Sequence, residues 1–158
     1  MDLIALDNSS KVWLYQADRE FSYEELDTIR EDLFHFLTAW TSHNNELMCY
    51  GNVFHKRFLG LFVDESKAGV SGCSIDKSVK FVNALGQKLD VGFFDRMTHA
   101  FLENDEVHTL PHDKLSESYE AGKINDNTLF FDNLVKTKGD FLTSWIKPLK
   151  DSWHTRFL

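Results

Sequence analysis

A chain of 158 residues with 42% hydrophobic and 14% aromatic residues, 14 of them Phe, has ample material for a buried core and lacks the composition of a disordered polypeptide. Its 25 Asp and Glu against 17 Lys and Arg leave a formal charge of −8, which disfavours wholesale binding to nucleic acid or to an anionic membrane. The length suits one domain, and with 2 Pro, 8 Gly and no repetitive stretch the sequence offers no linker, so residues 1–158 read as a single domain.

The first apolar run, Leu3 to Leu6, is too short and lacks the basic residues of a signal peptide. No later run approaches the ~18 apolar residues of a membrane span. A soluble, cytoplasmic protein without membrane insertion is expected. Lys11 to Ala17 alternates Val12, Leu14 and Gln16 with Trp13, Tyr15 and Ala17, the pattern of a strand. Ser22 and Glu25 form a capping box that opens a helix, with Phe21 and Leu26 in hydrophobic-staple positions. Leu26, Ile29, Leu33, Phe36, Leu37 and Trp40 then follow helical spacing, up to a turn at His43-Asn44-Asn45. Leu47 to His55 and Phe58 to Asp64 read as a β-hairpin around Lys56-Arg57, the second strand being apolar on both faces and therefore central.

A loop from Glu65 to Ser74 leads to a second helix, Ile75 to about Leu89, whose stripe is Ile75, Val79, Val82, Leu85 and Leu89. Thr98 to Glu103 and Glu106 to Leu110 flank Asn104-Asp105, a two-residue hairpin loop. A short helix from Pro111 to about Ala121 is ended by Gly122, a strand covers Thr128 to Phe131, and Thr137 caps a C-terminal helix that Pro148 bends or breaks. The fold expected is α+β: an antiparallel sheet with helices on one face, a ferredoxin-like βαββαβ core, and a C-terminal helical extension over 136–158 packed on it.

The segment Ala68 to Ser78, AGVSGCSIDKS, carries the candidate site. From Ser71 to Ser78 it nearly matches a phosphate-binding P-loop, with Lys77 and Ser78 in the motif's Lys and Ser positions. Both defining glycines are replaced, by Ser71 and Asp76. Gly69-Val70-Ser71-Gly72-Cys73 likewise falls one glycine short of a nucleophile elbow. What remains is an anion site: Ser71, Gly72, Cys73 and Ser74 just ahead of a helix, with Lys77 on its first turn, where free amides and the helix dipole favour negative charge and lower a thiol pKa. The simpler alternative is that Ser74 caps the helix while Asp76 and Lys77 face water.

Other residues carry weaker signals. Asp64 and Glu65 end the apolar strand beside this loop and form a paired-carboxylate candidate, against a strand that merely reaches the surface. Asp95 and Arg96 suit a ligand or a local ion pair anchoring a turn. The 7 histidines include no HExxH pair, and His99 and His108 are expected as cross-strand neighbours. Cys49 and Cys73 suggest neither a disulfide framework nor a zinc knuckle. No metal and no cofactor is implied. The last 23 residues hold five Lys and Arg against two Asp, giving +3 beside a −11 remainder. Interleaved with those bases, Phe141, Trp145, Trp153 and Phe157 either stack on nucleic acid or pack on the domain, and the second suits the acidic body better.

The strings SGCSIDKS, FFDR at 93–96, NLVKTK at 133–138 and WIKPLKDSWHTRFL at 145–158 resemble those of a family of small Bacteroidetes proteins labelled by automatic annotation as "ABC transporter ATPase". The resemblance runs from the Trp13 strand to Leu158 and brings no catalytic residues with it. A transporter ATPase needs a phosphate cradle, a magnesium-binding Asp and a signature helix. Without the cradle glycines or an LSGGQ-like string, ATPase activity is not expected.

The leading expectation is a non-catalytic binding or protein-interaction module, a homodimer or the partner of another protein, with a small anionic ligand at the Ser71 to Lys77 turn. The alternative is a small enzyme with Cys73 as nucleophile and Asp76 or a distant histidine as its partner.

Overall fold

The computed structural model describes residues 2–42, 48–65 and 72–158, and the chain divides into two compact units. The first holds residues up to Phe94 together with Lys136–Gly139, and the second holds Asp95–Val135 and Asp140–Leu158.

In the first unit β1 (Lys11–Gln16), β2 (Met48–Phe54) and β3 (Phe58–Asp64) form an antiparallel sheet in the order β1-β3-β2. All seven residues of β3 are buried, as its two-faced apolar sequence requires of a central strand. The helix α1 (Tyr23–Ser42) links β1 to β2, and α2 (Gly72–Leu89) follows β3. The capping box is formed as expected: the Glu25 amide donates to Ser22 Oγ at 3.2 Å and the Ser22 amide to Glu25 Oε1 at 2.9 Å. Leu59 and Leu61 point to one sheet face, where they share a core with Leu26, Ile29 and Leu33 of α1 and Val82 and Leu85 of α2. Both helices therefore cover the same face.

These elements follow the ferredoxin-like order β1-α1-β2-β3-α2, but the topology is not completed. A fourth strand should lie beside β1, whereas β4 (Thr98–Glu103), the strand after α2, belongs to a second sheet. The edge of β1 is instead bridged by 136–138: the Val12 amide donates to Lys136 O at 3.0 Å and the Lys138 amide to Ser10 O at 2.7 Å. A second difference lies in α2, which opens three residues earlier than its apolar stripe suggests. Ile75 and Val79, expected in the core, are 37% and 41% exposed, so the burying stripe begins only at Val82.

The second unit is a four-stranded antiparallel sheet in the order β5-β4-β6-β7, adding β5 (Glu106–Pro111), β6 (Leu129–Phe131) and β7 (Ile146–Pro148). Asn104 and Asp105 take φ values of 54° and 61°, the left-handed pair that a tight hairpin turn demands. A short helix α3 (Leu115–Glu120) ends at Gly122, whose φ is 75°. The last helix, α4 (Lys138–Ser144), stops before Pro148, which sits in β7 and bends nothing. Residues 146–148 are thus part of a sheet, not of a helical extension. Phe101, Leu115, Ile124, Phe130 and Leu149 make this unit's core.

Candidate functional site

Of the sequence-derived candidates, Ser71 lies outside the described residues, as do the side chains of Gly72, Cys73 and Ser74. Because α2 already begins at Gly72, Cys73, Ser74 and Lys77 stand inside its first two turns, not ahead of them, and Ser74 does not hold the N-cap position. Asp76 and Lys77 are exposed. Ser78 is buried and its hydroxyl donates to Ile75 O at 2.6 Å, so it faces the helix backbone instead of a metal-bound phosphate. A segment wound as helix from Gly72 spends its amides on its own carbonyls from the second turn onward. That geometry runs against a P-loop, which needs an open cradle.

Asp64 is buried at the end of β3, and Glu65 pairs with Lys11 at 3.1 Å. Asp95 anchors its turn by accepting from the Met97 amide at 2.7 Å and Thr98 Oγ1 at 2.8 Å, bonds that hold its carboxyl below the usual range. Arg96 is exposed. Cys49 is buried between α1 and the sheet, which pushes its thiol up to about 11. In the 136–158 segment Phe141 and Trp145 are buried against each other, with ring centroids 4.8 Å apart, while Trp153 stacks on His154 and Phe157 meets His112, so all four of its aromatics are engaged in packing. Two of its bases are also engaged: Lys138 is buried, and Lys147 pairs with Asp132 at 2.8 Å.

The second unit contains a cluster that the sequence did not signal. His99 on β4 is opposite Leu110, while His108 is opposite Phe101, so the expected His99–His108 pair does not form. His99 Nε2 instead lies 2.9 Å from Nδ1 of His112, which opens the turn after β5. The His154 ring meets His99 edge to face at 4.8 Å, stacks on Trp153 at 3.9 Å, and bonds Ser152 Oγ through Nδ1. Asp132, just after β6, accepts from Trp153 Nε1 and Lys147 Nζ, both at 2.8 Å, and from the Leu134 amide at 3.0 Å. Burial, with the other imidazoles adding to it, brings His154 down to about 4 and lowers His99 as well. These residues come from separate segments, with His99 and His112 13 positions apart and Trp153 and Asp132 21 apart, and only strand register and the return of β7 bring them together. His108 and His112, although spaced four apart, lie on a strand and the turn after it, so no helical face presents them jointly. Among the described residues no group of three His, Cys, Asp or Glu has the geometry of a metal site, and no helix is long and apolar enough to cross a membrane.

The first unit carries a groove of about 360 Å³ between α1 and α2. Phe36 and Phe81 stack across it with centroids 4.4 Å apart and planes 12° from parallel, while Ala84 and Leu85 continue the apolar lining. Asp32 and Lys88 pair at 2.9 Å on the rim, beside His35. Helical spacing explains the lining: Asp32, His35 and Phe36 share one side of α1, and Phe81, Ala84, Leu85 and Lys88 one side of α2.

No protein-family model matches this sequence, and comparison with curated proteins and with solved structures returns no match either.

Proposed function

We propose that this α+β protein is a non-catalytic binding module that accepts an apolar anchor side chain of another protein in the groove between α1 and α2. The observation that carries this reading is the Phe36–Phe81 stack, which puts aromatic surface on a concave, solvent-facing site between two helices. A rim holding a charged pair around an apolar floor is the anatomy of a docking site: desolvated carbon supplies affinity and polar groups set orientation. Lys77 and the first turn of α2 stand on the same helix, and a small anion at that end belongs to the same reading.

The test is selection of peptides from a random display library against the intact protein, followed by amide-shift mapping of the selected peptides. Peptides with an aromatic or branched apolar anchor should perturb His35, Phe81 and Ala84. Ala84→Glu, which places a charge on an exposed groove position, should weaken them at least tenfold while leaving the circular dichroism unchanged. Peptides that bind Ala84→Glu equally well, or a library that yields no binder, would overturn the reading.

A further inference from the structure

In the second unit, Ser152, Trp153, His154 and Phe157 belong to a short 3-10 segment, Trp153–Phe157, and the residue that caps it. The Ser152 and His154 side chains pair locally, while Trp153 and His154 reach β4 and β6: the His154 ring lies 4.8 Å from His99 and 4.9 Å from Phe130, and Trp153 donates to Asp132. Phe157 meets His112 edge to face at 4.3 Å. Two imidazoles, His99 and His112, therefore lie on the surface on which this segment is seated, and the segment brings the third, His154, against them.

We propose that the 152–157 segment is an acid-released latch, in which protonation of the His99–His112–His154 cluster unseats Trp153 and His154 while the four-stranded sheet stays formed. The geometry supplies the reason. The 2.9 Å bond between His99 and His112 needs one ring nitrogen to donate and the other to accept, and two imidazoliums have only donors, so full protonation turns that bond into a repulsion. His154 is 1% exposed, and a charge there lacks water. The charged groups facing it are His99 from β4, His112 from the turn after β5, Asp132 from the end of β6 and Lys147 from β7; Asp95, ahead of β4, faces His99. The nearby carboxylate that favours an imidazolium at His154, Asp132, is already shared among Lys147, Trp153 and the Leu134 amide.

The sign follows from the direction of the shifts. An imidazole held below its ordinary value of 6.5 is neutral in the seated state and protonated in the released one, so seating is unaffected above pH 6.5. Below that it weakens by up to about tenfold per pH unit for each group, until His154 itself titrates near pH 4.

The experiment follows Trp153 emission between pH 7.5 and 4, taken as the difference between the native protein and Trp153→Phe, alongside far-ultraviolet circular dichroism and histidine ring resonances. A reversible red shift of Trp153 below about pH 6, with dichroism unchanged, is expected, and His154→Phe should weaken the pH dependence to the share that His99 carries while keeping Trp153 in its seated emission at pH 7.5. Should His154→Phe fail to fold, the native protein still decides the matter through the His154 resonance. A His154 that titrates near 6.5 with Trp153 unmoved would overturn the latch. Loss of the dichroism signal together with the Trp153 shift would overturn it too, since the event would then be unfolding of the whole unit.

Discussion

Lys138 Nζ donates to the main-chain carbonyl of Leu6 at 2.6 Å, a buried contact between residues 132 positions apart. A second, longer bond reaches Ile4 O at 3.5 Å, and the neighbouring backbone bridges β1. One base of the +3 segment is therefore committed inside the first unit, held by peptide carbonyls, with the Asp7 carboxylate close enough to feel its charge. Lys138→Met should leave the Leu6 carbonyl buried without its donor at a cost of about 1–3 kcal/mol, offset in part because a buried ammonium is itself expensive. Urea unfolding should show a lowered midpoint for Lys138→Met, whereas Lys136→Met, at an exposed position, should stay within about 0.5 kcal/mol of the native protein.

What the sequence displayed of this fold was its local chemistry. Ser22 and Glu25 meet because they are three residues apart, and Asn104 with Asp105 tolerates the left-handed backbone of its turn, so α1 and the β4–β5 hairpin are legible from neighbours alone. The partner of β4 is not a local property. Its sequence suits either a ferredoxin-like edge or a separate sheet, and pairing with β6 through Phe101 and Phe130 decides the matter. The same holds for the sites. Ile75 and Val79 keep the helical period of a core stripe yet stand exposed, because β3 offers buried carbon only to the later half of α2. The histidine cluster had no spacing signal, being assembled by strand register and by the return of β7.

Arg19 and Glu25 form a two-pronged ion pair at 2.8 and 2.7 Å, and Arg19 also donates to Leu89 O at 2.7 Å, tying the start of α1 to the end of α2. The Arg19 guanidinium, with help from Ser22, takes the Glu25 carboxyl from its ordinary 4.5 down to about 2. A lowered carboxyl contributes stability that is complete above pH 4.5 and is lost as the pH falls toward 2. Because Arg19 is 43% exposed, the pair and cap together should amount to only about 1 kcal/mol after solvent screening. Glu25→Gln should therefore destabilise modestly at pH 7 and flatten the stability profile between pH 5 and 2, as read by thermal unfolding across that range.

The two cysteines should part company under alkylation. Burial holds the Cys49 thiol near 11 instead of 9, which lowers its thiolate fraction about a hundredfold at any pH below both values. With iodoacetamide at pH 8, mass spectrometry should find Cys49 unmodified in the native protein and fully modified in denaturant. A non-catalytic binding module further predicts that Cys73 reacts no faster near pH 7 than an ordinary free thiol. Rapid, selective modification of Cys73 at that pH would instead favour a nucleophilic role.

Gly86 sets two effects of opposite sign against each other. In the interior of α2 an alanine should gain about 1 kcal/mol over glycine from helix propensity alone. A Cβ built at Gly86, however, would stand 2.7 Å from the carbonyl oxygen of Val91, where the chain leaves the helix and the Val91 amide returns to Gly86 O at 2.9 Å. That neighbour is backbone held by its own hydrogen bond, and Phe93 is only 3.3 Å away on the same side, so neither yields cheaply. Relieving the overlap should cost about 1–3 kcal/mol and outweigh the propensity gain. Gly86→Ala is thus expected to lower the unfolding midpoint, while Asn83→Ala, at an exposed position on the same helix, should leave it unchanged or raise it slightly; a stabilised Gly86→Ala would show that the Gly86–Val91 turn opens freely.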